Sequence, residues 1–154
     1  SERVAVVETT IDNMNPELFG HLMDRLYADG ALDVTWQPAY GKKNRPATIV
    51  SVICPVDLRD RVVKRLLSES TTIGVRHTEM ARCVLPRETI PVDTPLGSIT
   101  AKRITELDGT QRLTPEYEAC RQIALDRNIS LRRVYDIFQR ALGNGSTESD
   151  QKNL

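Results

Sequence analysis

Lys42, Lys43 and Arg45 put three cations into four positions between Gly41 and Pro46. The flanking glycine and proline mark a turn, so these charges are held together at a strand end instead of being spread along a periodic face. Two ammonium groups beside a guanidinium suit the oxygens of a polyphosphate or a carboxylate, and the guanidinium can bind two oxygens at once. The same residues also read as a solvated hairpin tip, and the loop alone does not separate the two roles.

Carboxylates gather upstream. Asp12 stands where a β-branched run gives way to a helix-opening motif, Glu8 lies four residues earlier, and Glu17 opens the helix. Regular pleating would put Glu8 and Asp12 on one face. Hard oxygen donors of this kind suit magnesium or manganese, best where nucleotide phosphates complete the shell. A plainer role stands beside it: Asp12 accepting turn amides and Glu17 complementing the helix dipole. Further on, Thr71 and Thr72 precede Gly74, and Arg76 and Arg87 flank a strand. Hydroxyls, amides near a glycine and guanidinium groups all bind phosphate oxygens, although Thr71-Thr72 is equally a β-prone strand start. No P-loop motif is present, His21 and His77 are isolated, and no Ser/His/Asp or Cys/His set is spaced for a nucleophile. Trp36 and Tyr40 have even spacing on one strand, so they share a face, where each can stack on a base or pack in a core.

The charge is balanced overall, 21 Lys plus Arg against 21 Asp plus Glu, but unevenly placed. Residues 1–41 are net minus five and residues 42–76 net plus five. Without a basic excess or clustered sheet aromatics, nucleic-acid binding is not expected. Acid followed by base suits a metal-plus-phosphate site, and equally suits surfaces pairing in an oligomer of cyclic or dihedral symmetry, such as a trimer or hexamer. Cys54, Cys83 and Cys120 lack a CxxC, which argues against a disulfide framework or zinc knuckle. No apolar run has membrane-spanning length and no signal peptide is visible, so a cytoplasmic protein is expected. The chain starts at Ser1 directly in a strand-like run, as a piece of a longer protein would.

These residues need a frame. Val4–Ile11 is β-branched and reads as a strand; Asn15, Pro16 and Glu17 then cap and open a helix that stops at Gly30. Ala31–Tyr40 and Ala47–Cys54 read as a hairpin around the basic loop. Asp57 caps a second helix, and Gly74 leads into a fourth strand. This βαββαβ order predicts an α+β, ferredoxin-like antiparallel sheet with helices on one face, over residues 1–76. Residues 77–142 read as a smaller, β-grasp-like subdomain. Residues near 73–90 look extended as one long bent strand, a hairpin turns at Thr94–Gly97, and two helices follow, the second capped by Ser130. Residues 143–154 have almost nothing to bury and read as a disordered tail.

Glu8–Glu17 (ETTIDNMNPE) is similar to the ETNIDDMNPE signature of the LarC family of nickel-insertion proteins. The similarity continues through Lys42-Lys43-Asn44-Arg45-Pro46, Thr71–Arg76, Leu85-Pro86-Arg87 and Pro115–Glu118, and resembles the family's C-terminal domain. The resemblance implies a CTP-dependent cyclometallase (a lyase or chelatase) that inserts Ni²⁺ into pyridinium-3,5-bisthiocarboxylic acid mononucleotide, making the nickel-pincer cofactor of lactate racemase. It implies CTP phosphates on Lys42, Lys43, Arg45, Thr71, Thr72, Arg76 and Arg87. Mn²⁺ or Mg²⁺ would sit near Asp12, Glu8 and Glu17, and the N-terminal domain of the same protein would be a partner. Thr10 and Asn13 replace the signature's Asn and Asp, which lowers the local charge around Asp12. A different class also fits the architecture: a non-catalytic ferredoxin-like oligomerisation or ligand-sensing module.

Overall fold

The β-branched N-terminal run folds as β1 (Glu2–Ile11) and lies inside a four-stranded sheet. Its alternation decides which side is core: Ala5, Val7 and Ile11 are buried with Thr9, while Thr10 is exposed. Helix α1 (Glu17–Ala28) opens as the sequence predicts, with the Glu17 N–H donating to Asn15 Oδ1 at 3.1 Å. It ends at Gly30, whose φ of 102° lets the Ala31 N–H reach back to the Leu26 carbonyl at 3.1 Å. A Cβ on Gly30 would lie 2.6 Å from Leu58 Cδ1. Gly30→Ala is therefore expected to lower stability by about 1–2 kcal/mol, from positive φ and the displaced Leu58 together. Chemical denaturation checks this, and an unchanged midpoint would refute it.

β2 (Asp33–Tyr40) and β3 (Pro46–Pro55) form a hairpin in which Tyr40 faces Pro46. A short 3-10 turn, Val56–Leu58, absorbs Asp57 and leads into α2 (Arg59–Glu69), which has no side-chain cap, contrary to the cap expected from Asp57. β4 (Arg76–Arg82) then pairs with β1. The order is β2-β3-β1-β4, all antiparallel, which is the ferredoxin-like arrangement the element order predicts. Leu22, Leu26, Val62 and Leu66 of the two helices close over Ala5, Val7, Val50 and Val52. Each large aliphatic side chain buried there contributes roughly 1.5–3 kcal/mol.

The structure, a computed structural model, describes residues 2–145, and the chain divides into two units, Ser1–Val84 and Leu85–Leu154. The first unit thus reaches Val84, beyond the boundary at residue 76 drawn from sequence, because β4 belongs to its sheet. The long bent strand expected over residues 73–90 is two strands in two sheets. They are separated at 83–86, where Pro86 has no N–H for a ladder.

The second unit is an antiparallel meander of β5 (Arg87–Thr94), β6 (Gly97–Thr105) and β7 (Gln111–Pro115), with α3 (Tyr117–Arg127) and α4 (Leu131–Gly145). The expected turn at Thr94–Gly97 is present, closed by the Thr94 hydroxyl donating to the Gly97 carbonyl at 2.7 Å. Ser130 caps α4, accepting the Arg133 N–H at 3.2 Å. Ile99, Ala101, Cys120, Ala124, Val134 and Phe138 form this unit's core, and burial there pushes the Cys120 thiol up. α4 continues to Gly145, three residues into the stretch expected to be disordered; residues 146–154 of that tail lie outside the described residues. No described helix is long and apolar enough to cross a membrane.

Candidate functional site

The antiparallel register gathers three sequence-distant segments at one end of the first sheet. There β1 and β2 finish, β3 and β4 begin, and Ile11 faces Thr48 while Glu8 faces Arg76. Asp12, the basic loop and the Thr71–Gly74 turn all emerge at that end.

The basic loop is a one-turn 3-10 segment, Lys42–Asn44. It is clamped by the Gly41 N–H on the Arg45 carbonyl at 2.8 Å and the Arg45 N–H on the Lys42 carbonyl at 3.3 Å. Lys43 and Asn44 both have positive φ, 57° and 56°. Asparagine tolerates this conformation, whereas for lysine it is a strained choice. Lys42, Lys43 and Arg45 are exposed, and no described residue forms an ion pair with any of them. The loop therefore holds three uncompensated positive charges on a backbone fixed by its own hydrogen bonds.

Beside it lies a cleft of about 620 Å³ between the start of α1 and the sheet end. Met14, Phe19, Trp36 and Pro38 give it apolar and aromatic walls, and Asp12 and Thr48 supply polar groups. Trp36 is 53% exposed although it sits on the helix-facing side of β2, across from Val50. Trp36 and Tyr40 share that face, as their spacing predicts.

Thr72 is turned inward. Its hydroxyl lies 2.6 Å from that of the fully buried Thr9, and both approach the Gly74 carbonyl, at 3.0 and 2.8 Å. Two protons serve three oxygens, which pins the turn and leaves Thr71 exposed at its tip. Arg76 and Glu8 meet each other on the sheet face away from the helices, with Arg76 Nε donating to Glu8 Oε1 at 2.8 Å. The strand ends at Ile11 and the chain bends at Asp12, so the shared pleated face expected for Glu8 and Asp12 is not formed. Glu17 is exposed in the first turn of α1. Arg87 opens β5 in the second unit, facing Ile104.

Part of the acid-then-base layout is discharged inside the first unit, where Glu8 and Asp29 pair with cations of residues 42–76. Asp29, at the C-terminal end of α1 and only 4% exposed, receives Arg65 Nε at 2.6 Å, Arg65 Nη2 at 3.1 Å and Arg61 Nε at 3.0 Å. The Arg65 hydrogen bond, opposed by burial, holds its carboxyl below the usual carboxylate range. Glu2 pairs with Arg82 and Arg3 with Glu79. The Asp29 cluster has no signature in the sequence, because its partners lie on a helix more than thirty residues away. Once these pairs are set aside, the basic loop and Asp12 are among the described charges of the first unit without an ion pair, together with Glu17, Asp24, Arg25, Asp33, Asp57 and Lys64; what distinguishes the loop is that its three cations are adjacent.

Among the described residues no group of three or more His, Cys, Asp or Glu could hold a metal ion. Asp12 fits a divalent cation only where phosphate oxygens and water supply the rest of the shell, which is how magnesium is commonly held.

A frame of this order is shared with a known group of proteins. A family model described as nickel insertion protein matches residues 1–135, and the chain belongs to that family. A putative nickel insertion protein of Syntrophobacter fumaroxidans is 46% identical over 143 residues, 93% of this chain and 37% of that protein. The pyridinium-3,5-bisthiocarboxylic acid mononucleotide nickel insertion protein of Thermotoga petrophila is 42% identical over 142 residues, 92% of this chain and 36% of its own length. The chain thus spans about a third of these relatives. Among solved structures, the apo C-terminal domain of LarC, a cyclometallase involved in the synthesis of the NPN cofactor of lactate racemase, superposes with a TM-score of 0.81 at 35% identity. That match covers 92% of this chain and 98% of the domain. A Methanopyrus kandleri protein, 20% identical with a TM-score of 0.59 over 85% of this chain, shares the fold alone.

Proposed function

We propose that this chain is the nucleotide-binding part of an enzyme that inserts nickel into pyridinium-3,5-bisthiocarboxylic acid mononucleotide. Lys42, Lys43 and Arg45 hold the phosphates of CTP. The observation that supports this most is the pinned basic loop: three cations on a strained turn, without partners, next to a cleft whose rim carries Asp12. Mn²⁺ or Mg²⁺ sits between Asp12 and the phosphates; nickel is substrate, not a resident ion. Thr71, at the tip of the turn pinned by Thr9 and Thr72, presents its hydroxyl and neighbouring amides to the same phosphates. Glu8 and Arg76 first have to part from each other to act as ligands, and Glu17 serves the helix dipole. Arg87 contacts phosphate if the assembled protein brings it there. The chain works in the cytoplasm, where its three unpaired cysteines stay reduced, within an oligomer and with the N-terminal part of the protein supplying what nickel delivery needs.

Calorimetric titration with CTP and ATP, with and without Mn²⁺, tests the proposal. Metal-dependent binding selective for CTP is expected, weakened at least about tenfold in the Lys42→Ala/Arg45→Ala variant, since each charge-assisted hydrogen bond contributes roughly 1.5–3 kcal/mol. Absence of binding, or affinity indifferent to the variant, removes the reading and moves a non-catalytic sensing or oligomerisation module ahead of it.

A further inference from the structure

We infer that Trp36 forms the floor on which the flat heterocycle of a nucleotide stacks, so that the cleft beside it and the basic loop together make one elongated site. This rests on the nucleotide reading above and assigns the part that phosphate contacts leave open.

Trp36 belongs to the side of the sheet that α1 and α2 cover, where Val50 and Val52 are fully buried. Yet Trp36 is half exposed, and the uncovered space between it and the start of α1, where Gly20 has no side chain to fill it, is the cleft. At about 620 Å³ the cleft falls within the range of small-molecule sites, and its aromatic and aliphatic walls with few polar groups match their usual chemistry. Phe19 and Met14 line the same space, so a planar ring entering it meets apolar surface at several points. The Thr48 hydroxyl can accept from or donate to a ring's edge, while Asp12 lines the same cleft and is left to the metal at the phosphate end.

Continuity with the basic loop decides the kind of ring. Pro46, the residue after Arg45, lines the cleft, so the residue that ends the phosphate cradle is joined directly to the wall of the ring site. A free aromatic compound would have no use for three adjacent cations, whereas a nucleotide places a heterocycle and phosphates at its two ends. Two heterocycles share this chemistry, cytosine and a pyridinium ring. The pyridinium adds a fixed positive charge, which an indole face favours.

The chain contains one tryptophan, so its emission reports on this cleft alone. The intact chain is titrated with CTP and with nicotinamide mononucleotide, a pyridinium nucleotide, in the presence of Mg²⁺, following tryptophan emission and heat in parallel. Quenching that tracks the heat is expected, with Trp36→Ala weakening binding about tenfold and Trp36→Phe staying near wild type. Because Trp36 is half exposed, the alanine variant keeps the fold, which circular dichroism verifies. Stronger quenching by nicotinamide mononucleotide assigns the cleft to the pyridinium ring; stronger quenching by CTP assigns it to cytosine. If calorimetry shows binding that Lys42→Ala/Arg45→Ala removes, while emission and the Trp36→Ala affinity do not change, this inference falls and the phosphate site stands. If neither nucleotide gives heat, both fall.

Discussion

Asp29→Asn lowers the stability of the first unit by about 3–5 kcal/mol at neutral pH, the cost typical of breaking a buried ion pair from one side. The asparagine keeps the shape of the side chain, so the loss is electrostatic and leaves no cavity. A carboxylate at a helix C-terminus is opposed by the helix dipole, and here Arg61 and Arg65 of α2 offset both the dipole and the burial. Removing the anion leaves two guanidinium groups facing each other and the half-buried Arg65 head with Glu69 as its remaining acceptor. The pH dependence has a definite sign. Because the folded pKa of Asp29 is lowered, its contribution is complete above the ordinary value of 3.8 and is lost as pH falls through the folded value. Urea unfolding at pH 7 and at pH 3 should show the gap between wild type and variant narrowing at the lower pH. A gap of equal size at both would mean that Asp29 acts by shape and not by charge.

Phe138→Ala has a comparable effect on the second unit, about 3–5 kcal/mol, the range for truncating a buried phenylalanine. Phe138 is the largest fully buried side chain described, and the core around it is small, with Ile99, Ala101, Cys120, Ala124 and Val134 as its other buried members. Such a core cannot collapse around the missing ring, since Ile99 and Ala101 are fixed in the middle strand of the meander. Amide exchange of β6 then quickens by a hundredfold or more, each factor of ten corresponding to about 1.4 kcal/mol. A change of less than threefold would show that α4 does not hold this sheet together.

The first unit was largely legible, because its local signals agree with its fold: a β-branched strand, Asn15 and Gly30 at the ends of one helix, a turn-flanked basic loop. The placement of Asp12, Lys42–Arg45 and Thr71–Thr72 at one end follows from that order, since each lies at a strand boundary. Glu8 was misleading because pleating predicts its neighbours only while the strand lasts, and the strand stops at Ile11. Its attachment to Arg76 depends on strand pairing across 68 residues, which no local pattern shows. β7 escaped notice because Leu113 is its single large aliphatic residue, too little for a period-two signal. The break at 83–86 was hidden by extended-looking residues on both sides. The cleft, too, arises from what α1 does not cover, and a gap in packing leaves no mark in the sequence.

The free edge of β2 bears on what this sheet can be joined to. The Val34 N–H points away from β3 and is taken by the Tyr27 hydroxyl at 3.2 Å. By the two-residue repeat, the outward amides of this strand belong to positions 34, 36, 38 and 40, and residue 38 is a proline with none to give. A strand arriving from another molecule would find donors only at Trp36 and Tyr40, too sparse to zip up a ladder. The opposite edge, β4, meets a newcomer with Arg76, His77, Glu79 and Arg82. The sheet therefore resists lengthening by strand addition, the usual first step toward fibrils, with one internal hydrogen bond, one proline and a charged strand.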